Sequence, residues 1–188
     1  LGWRPAAGHR IGLLLLRSKL NSQYDASEFL PPSFAPDNSA DFRTKVDTAV
    51  TSLDWRGTLA PGWTGSARVA RSVDDARNGG RATDSFRTTR DQAAAQLAWQ
   101  TGRVGQLVLA LEHGEDRARS SSYLGPVSRR NDAAVAELTG SAGVWSWQAD
   151  VRRDHSSDFG GVTTGRLGGA LALAPGWRLR VLAGSTFR

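Results

Sequence analysis

The chain has 188 residues and a formal net charge of +6, with 24 Lys and Arg against 18 Asp and Glu, and it has no cysteine. The lack of Cys excludes disulfides, thiolate metal sites and Cys nucleophiles. The longest aliphatic run, Leu13 to Leu16, falls far short of the roughly 18 residues of a membrane helix; this leaves a soluble protein as the default and a transmembrane β-barrel, whose strands need only about 10 residues, as the exception.

In chain order the pattern is period two. Leu1 to Arg4 reads as the end of a strand, and Pro5-Ala6-Ala7-Gly8 as a short turn. His9 to Asp25 is a long strand with Leu14, Leu16, Leu20 and Tyr24 in one phase and Arg17, Lys19, Asn21, Gln23 and Asp25 in the other. Ala26 to Asp41 is a loop rich in Pro, Ser and Asp. Phe42 to Leu59 is a strand, and Ala60-Pro61-Gly62 turns the chain. Trp63 to Asp75 alternates Ala67, Val69 and Val73 with Ser66, Arg68 and Ser72. Ala76 to Thr83 is a second polar loop. Asp84 to Gln100 places Ala93, Ala95, Leu97 and Trp99 opposite Arg90, Gln92 and Gln96. Within it Asp91 to Gln100 contains good helix formers, but its setting favours a strand.

After a turn at Thr101 to Gly105, Gln106 to Arg117 alternates Leu107, Leu109 and Leu111 with Gln106, Ala110 and Glu112. Ala118 to Ser128 is a third polar loop, Arg129 to Thr139 a weaker strand, and Gly140 to Gly143 a turn. Val144 to Asp154 carries Trp145, Trp147, Ala149 and Val151 on one face and Ser146, Gln148, Asp150 and Arg152 on the other. A polar break from His155 to Gly161 leads into Val162 to Ala174. Ala174-Pro175-Gly176 then opens the last run, Trp177 to Arg188, where Trp177, Leu179, Val181, Ala183 and Phe187 alternate with polar residues and Leu182 intrudes. Such alternation marks strands with one apolar and one wet face. The expected fold is all-β, an antiparallel up-and-down meander of about ten strands forming part of a transmembrane β-barrel.

The aromatic residues are sorted. All seven Trp lie within a few residues of a short turn, whereas Tyr24, Tyr123 and most Phe (Phe29, Phe34, Phe42, Phe86, Phe159) lie in or beside the long loops. In an antiparallel meander this predicts a Trp belt at one edge and a Tyr/Phe belt at the other, flanking an apolar band as in a barrel wall. Trp packing the end of a soluble β-sandwich is the alternative, but it predicts no such sorting. Short turns opposite long loops also match outer-membrane barrels, with the polar phase facing the lumen. Since lipid tolerates no open strand edge, ten strands are not a complete unit. The sequence opens at Leu1 and breaks off at Arg188 inside a strand pattern, and it reads as an internal piece of a longer chain.

The run Arg152 to Gly161, with Thr163-Thr164-Gly165 and Leu173 to Arg180, resembles TonB-dependent outer-membrane receptors, and Gly184-Ser185-Thr186-Phe187-Arg188 is similar to one of their late strands. Phe86 to Gln92 and the Tyr24-Asp25-Ala26 loop resemble the cobalamin (vitamin B12) receptor branch. The resemblance covers nearly all of residues 1–188 and implies a section of a barrel of roughly 22 strands, with the plug, TonB box and closing strands elsewhere. It implies uptake of cobalamin driven through the TonB complex, with a siderophore as the alternative ligand and a passive pore, an adhesin barrel or a soluble binding module as further alternatives. It also implies a calcium site at Tyr24 and Asp25, with Asp41 as the third residue and Asp37 its rival; a hard cation needs more oxygens than these supply. The alternative is that Asp25 and Asp41 are solvated loop residues.

Other chemistry is not indicated, and no enzyme is expected. His9, His113 and His155 are far apart and lack metal spacing. There is no G-x-S-x-G elbow, and the Gly160-Gly161 and Gly168-Gly169 pairs lack a phosphate-loop context. Glu112, Glu115 and Asp116 beside His113 read as residues lining the lumen or its rim. Arginine is dispersed along the chain, which argues against nucleic acid as a partner. Outer-membrane lipid is the expected surrounding, and Arg117, Arg119, Arg129 and Arg130 are candidates for lipopolysaccharide phosphates as bidentate donors, with a solvated loop as the alternative.

Overall fold

The computed structural model describes residues 1–29, 31–80, 83–102 and 105–186. They form twelve strands and no helix: β1 (Gly2–Trp3), β2 (His9–Gln23), β3 (Glu28–Phe29), β4 (Pro36–Asp37), β5 (Arg43–Ala60), β6 (Trp63–Gly79), β7 (Thr83–Gln100), β8 (Gln106–Ser120), β9 (Val127–Ala142), β10 (Trp145–Ser156), β11 (Gly160–Ala174) and β12 (Trp177–Gly184). Ten of them make one sheet in the order β1-β2-β5-β6-β7-β8-β9-β10-β11-β12, each neighbour antiparallel. The all-β antiparallel meander is therefore the observed fold, and Asp91 to Gln100 is strand. Phe187 and Arg188, and Arg103 and Val104 of the expected turn, lie outside the described residues.

The strands are longer than their apolar alternation suggested. β5 and β7 each reach 18 residues, about three times the length of an ordinary strand. Three expected polar loops are shortened by the strands on either side: β6 runs on to Gly79, β8 to Ser120 and β10 to Ser156, while β9 begins at Val127 and β11 at Gly160. The weak strand at Arg129 to Thr139 is a full one, and its expected turn shrinks because β9 continues to Ala142, paired with Trp145. The extensions stay in the ladder: Ala76 to Gly79 pair with Val46 to Arg43, Ala118 to Ser120 with Thr88 to Phe86, and His155 and Ser156 with Asp132 and Asn131. Their polarity marks a hydrated part of the sheet rather than a loop. Inside the long β2–β5 connection, β3 and β4 form an unexpected ribbon of their own.

Two turns are built from the same five residues, Leu59-Ala60-Pro61-Gly62-Trp63 and Leu173-Ala174-Pro175-Gly176-Trp177. Proline presets φ at the first turn position, and glycine takes the left-handed conformation at the second, φ 78° at Gly62 and 80° at Gly176. In each the register shifts by one residue just before the turn, between Thr58 and Ala60 and between Ala172 and Ala174. Such a bulge tightens the local twist and sets the phase in which the following Trp emerges.

The sheet has no core of its own. Among the described residues the buried apolar side chains are Phe42, Ala98 and Ala133, and no large side chain is fully buried. The accessible surface is 13614 Å², against roughly 8,800 Å² for a compact monomer of this mass. A soluble sandwich would press a second layer onto the apolar face; here the described residues make one layer and leave that face bare.

Candidate functional site

Register decides which residues share a face. Paired residues in adjacent antiparallel strands point the same way, and the pairings Trp3–Ile11, Ile11–Trp55, Trp55–Ala67, Ala67–Ala95, Ala95–Leu111, Leu111–Ala134, Ala134–Arg153 and Arg153–Thr163 define one face across nine strands. All seven tryptophans fall on it at the short-turn end. Trp63 and Trp99 stack with centroids 5.1 Å apart and planes 7° from parallel, and Trp55 stacks on His9. Above the tryptophans come Leu53, Val69, Leu97, Leu109, Leu111, Val151 and Leu167. From Trp63 to Val69 and on to Arg71 this band runs roughly 25 Å along the strand at about 3.3 Å per residue.

The opposite face carries ion pairs among scattered apolar residues such as Leu14, Leu16, Val50 and Val108. Arg90 grips Asp116 through Nε (2.6 Å) and Nη2 (3.2 Å), and Arg129 adds a third contact at 3.3 Å. Arg152 bridges Glu112 (2.8 Å) and Asp154 (2.9 Å), and Arg166 Nε donates to Asp150 at 2.9 Å. Ser52 and Ala98, both buried, are on this face with Ala133, as small residues are where side chains converge inside a curved sheet. The phase expected to face a lumen thus carries ion pairs linking strands from β7 to β11.

Charge is sorted between the two faces. On the strands, the apolar-banded face carries eleven Arg and Lys (17, 19, 43, 45, 71, 77, 87, 117, 119, 130 and 153) against Asp47, Asp75, Asp91, Glu115 and Asp132, whereas the polar face carries nine Arg against eight Asp and Glu. The outward cations all stand beyond the apolar band, on the side away from the tryptophans. Many are paired, with Arg17–Asp47 at 2.7 Å, Arg71–Asp91 at 2.5 Å and Arg117–Glu115 at 2.5 Å. The row of paired residues Leu13, Leu53, Val69 and Ala93 is apolar, but its continuation His113, Asp132 and His155 is polar. The strands therefore run oblique to the apolar boundary, as tilted strands do in barrels.

Several expectations need correction here. The Tyr/Phe belt is not an outward girdle: Phe42 is buried against Tyr24, and Phe86 is on the polar face, edge-on to Tyr123. Sorting by sequence distance from a turn was right about the ends but could not see the face. In β2, Leu14, Leu16 and Leu20 are on the polar face and Leu13 and Leu15 on the banded one, because leucines fill both phases and the pairing with β5 decides. The acidic group splits, with Glu112 and Asp116 inward and Glu115 and His113 outward. Arg129 points inward, while Arg117, Arg119 and Arg130 point outward. The histidines, distant in sequence, converge in part: Asp132 pairs with both His113 and His155, and His113 Nδ1 is 2.5 Å from Asp132 Oδ1.

The calcium candidates lie at the two ends of the β2–β5 connection. Tyr24 N donates to Phe42 O at 3.1 Å, which draws Tyr24 and Asp25 toward Asp41. Asp25 is exposed, and Asp41 accepts a 2.6 Å bond from Arg43. Asp37 is turned to its own loop, accepting from Ser39 N and Oγ. Among the described residues no three His, Asp or Glu gather as a metal-binding group. Tyr24, Asp25 and Asp41 supply at most part of the six to eight oxygens of a calcium shell, and Arg43 already holds the carboxylate of Asp41.

No protein-family model matches the sequence, nor does any curated protein. Solved structures do match in fold. A chain of the RagAB peptide importer in its "closed-closed" state superposes over 97% of this chain with a TM-score of 0.71 at 11% identity, and a chain of the RagAB peptide transporter does so over 97% with 0.68, also at 11%. This chain spans 31% of each of those chains.

Proposed function

We propose that this chain is a section of the wall of an outer-membrane β-barrel that takes up a scarce nutrient with TonB-derived energy. The observation that carries the reading is the sorting of the sheet: one face carries all seven tryptophans at the short-turn end and an aliphatic band above them, with its charges only beyond that band. An apolar face of this extent is stable against lipid and costly against water. The open edges at β1 and β12 require further strands, because lipid leaves unpaired backbone groups unsatisfied. The plug and the contact with the TonB complex belong to parts of the protein beyond this section. Transport here involves no covalent chemistry.

For the ligand we take cobalamin, on the resemblance of the Tyr24-Asp25 loop and of Phe86 to Gln92. The fold likeness to a peptide importer favours a second reading, an oligopeptide; a siderophore is the third. Calcium would act at Asp25 and Asp41 together with oxygens from other loops, and would have to displace Arg43. The test is on the intact protein, extracted from outer membranes in detergent. Its mobility on unboiled gels reports a closed barrel, and titrations with cyanocobalamin, mixed oligopeptides and a ferric siderophore, each with and without calcium, report the ligand. Saturable cobalamin binding strengthened by calcium supports the reading. Saturable binding of peptide alone replaces cobalamin, and a monomer soluble without detergent overturns the membrane assignment.

A further inference from the structure

Arg10 on β2 and Arg56 on β5 are register partners on the polar face, which sets their Cα atoms about 4.5–5.5 Å apart. Like charges directly opposite each other destabilise a sheet, yet neither guanidinium has an ion-pair or hydrogen-bond partner among the described residues. Arg68, diagonal to Arg56 on β6, is also unpaired, because its register partner Asp54 lies against Gly12 of β2, where a Cβ would meet the carboxylate. By contrast, Arg90, Arg129, Arg152 and Arg166 of the same face each hold a carboxylate. Two hollows of about 720 and 510 Å³ meet at the unpaired group and share Arg10, Arg56, Ser66 and Gln96 in their linings. Both sizes fall within the roughly 300–1,000 Å³ of small-molecule clefts. The wider face is graded in charge. Within six residues of the short turns its strands carry Arg10, Arg56, Arg68, Arg178 and Arg180 against Glu137 and Asp150, whereas nearer the long loops Asp and Glu outnumber Arg, six to four.

We propose that Arg10 and Arg56 form an oxyanion site at the short-turn end of the lumen, which takes a phosphate or carboxylate group of the transported solute. The proposal rests on the transport reading above. Two planar guanidinium forks side by side match the oxygens of one such group by paired, charge-assisted bonds. The Ser66 hydroxyl and the Gln96 amide are further donors in the same hollow. Arg68 and Asp54 offset one another, so the charge of the arginine pair is left for the ligand, and a bound anion removes the repulsion between the two. The charge grading supplies a direction, since an anionic group in the lumen is drawn away from the loop end and toward the short turns. A neutral solute gains from neither effect, so the solute is one that carries an ionised oxyanion.

The experiment uses the intact protein in detergent, with mobility on unboiled gels confirming a closed barrel for each variant, and equilibrium dialysis against radiolabelled inorganic phosphate. The wild type is expected to bind phosphate saturably and to unfold at higher urea in phosphate than in chloride of equal ionic strength. R10Q/R56Q is expected to weaken phosphate binding roughly tenfold or more, the equivalent of one charge-assisted contact, and to lose the phosphate-dependent rise in the urea midpoint. S66F, which fills the hollow and leaves the charges alone, is expected to weaken binding too. R178Q/R180Q removes as much charge from the same end of the same face, seven strands or more away, and is expected to leave binding unchanged, because salt screens charges at that range. Equal loss in R178Q/R180Q, or undiminished binding in R10Q/R56Q, overturns the proposal. Displacement of phosphate by cyanocobalamin, which carries a phosphodiester, or by an oligopeptide with a free C-terminal carboxylate but not by its amide, supports the solute as the source of the anion. A solute that binds without displacing phosphate overturns that assignment and leaves free phosphate. A wild type that binds no phosphate, with R10Q/R56Q lowering its urea midpoint, gives the arginines to a carboxylate elsewhere in the protein and overturns the proposal as well. A closed barrel that binds no phosphate sinks this inference alone; a monomer soluble without detergent sinks the transport reading with it.

Discussion

Trp63 and Trp99 stack face to face, 5.1 Å apart, at the ends of β6 and β7, on the apolar face and beside a short turn. Each ring thus has a partner where the sheet leaves its apolar band. We predict that Trp63→Ala and Trp99→Ala each destabilise the folded barrel, and that their effects are coupled by about 0.5–1.5 kcal/mol. Urea unfolding of the two single variants and the double variant in detergent measures this coupling. Strictly additive losses would mean the rings act independently.

The face assignment predicts a contrast between neighbours in sequence. Leu109 is on the banded face at mid-height, whereas Val108 is on the polar face. Leu109→Arg is expected to cost roughly 2–4 kcal/mol in a bilayer, and Val108→Arg to stay within about 1 kcal/mol, as for a hydrated position. Folding titrations into lipid vesicles compare the two. The reverse order would show that the faces have been exchanged.

The twin Pro-Gly turns predict equal penalties. A Cβ on Gly176 meets nothing within 4 Å, and one on Gly62 meets only Gln100 at ordinary distance, so the cost of alanine is purely one of backbone conformation. Gly62→Ala and Gly176→Ala should each cost about 1–2 kcal/mol, the strain of a left-handed residue bearing a Cβ. A difference larger than that range between the two, in the same unfolding assay, would contradict a shared turn geometry.

If calcium binds at Asp25 and Asp41, Arg43 competes with it for the carboxylate it holds at 2.6 Å. Arg43→Gln should then raise calcium affinity several-fold, while Asp25→Asn and Asp41→Asn lower it. Isothermal titration of the intact protein with calcium reads all three. Unchanged affinity in Arg43→Gln, with binding present, would place the ion elsewhere.

Alternation in the sequence, by itself, determined that this is an all-β meander of about ten strands with the tryptophans at one edge. A period of two ties the side chains of one strand to two faces, and the Pro-Gly and Gly-rich breaks locate the reversals. What alternation does not contain is the partner across the gap. A one-residue slip sends every side chain of a strand to the other face, so only the paired sheet decided that Leu14, Leu16 and Phe86 point inward, that Arg129 and Arg130 point to opposite sides, and that Asp132 joins His113 to His155. The same holds for the polar extensions of β6, β8 and β10: in isolation they read as loops, because hydrated strand and loop have similar composition, and only pairing with the neighbouring strand, as of Asn78 with Thr44, places them in the sheet.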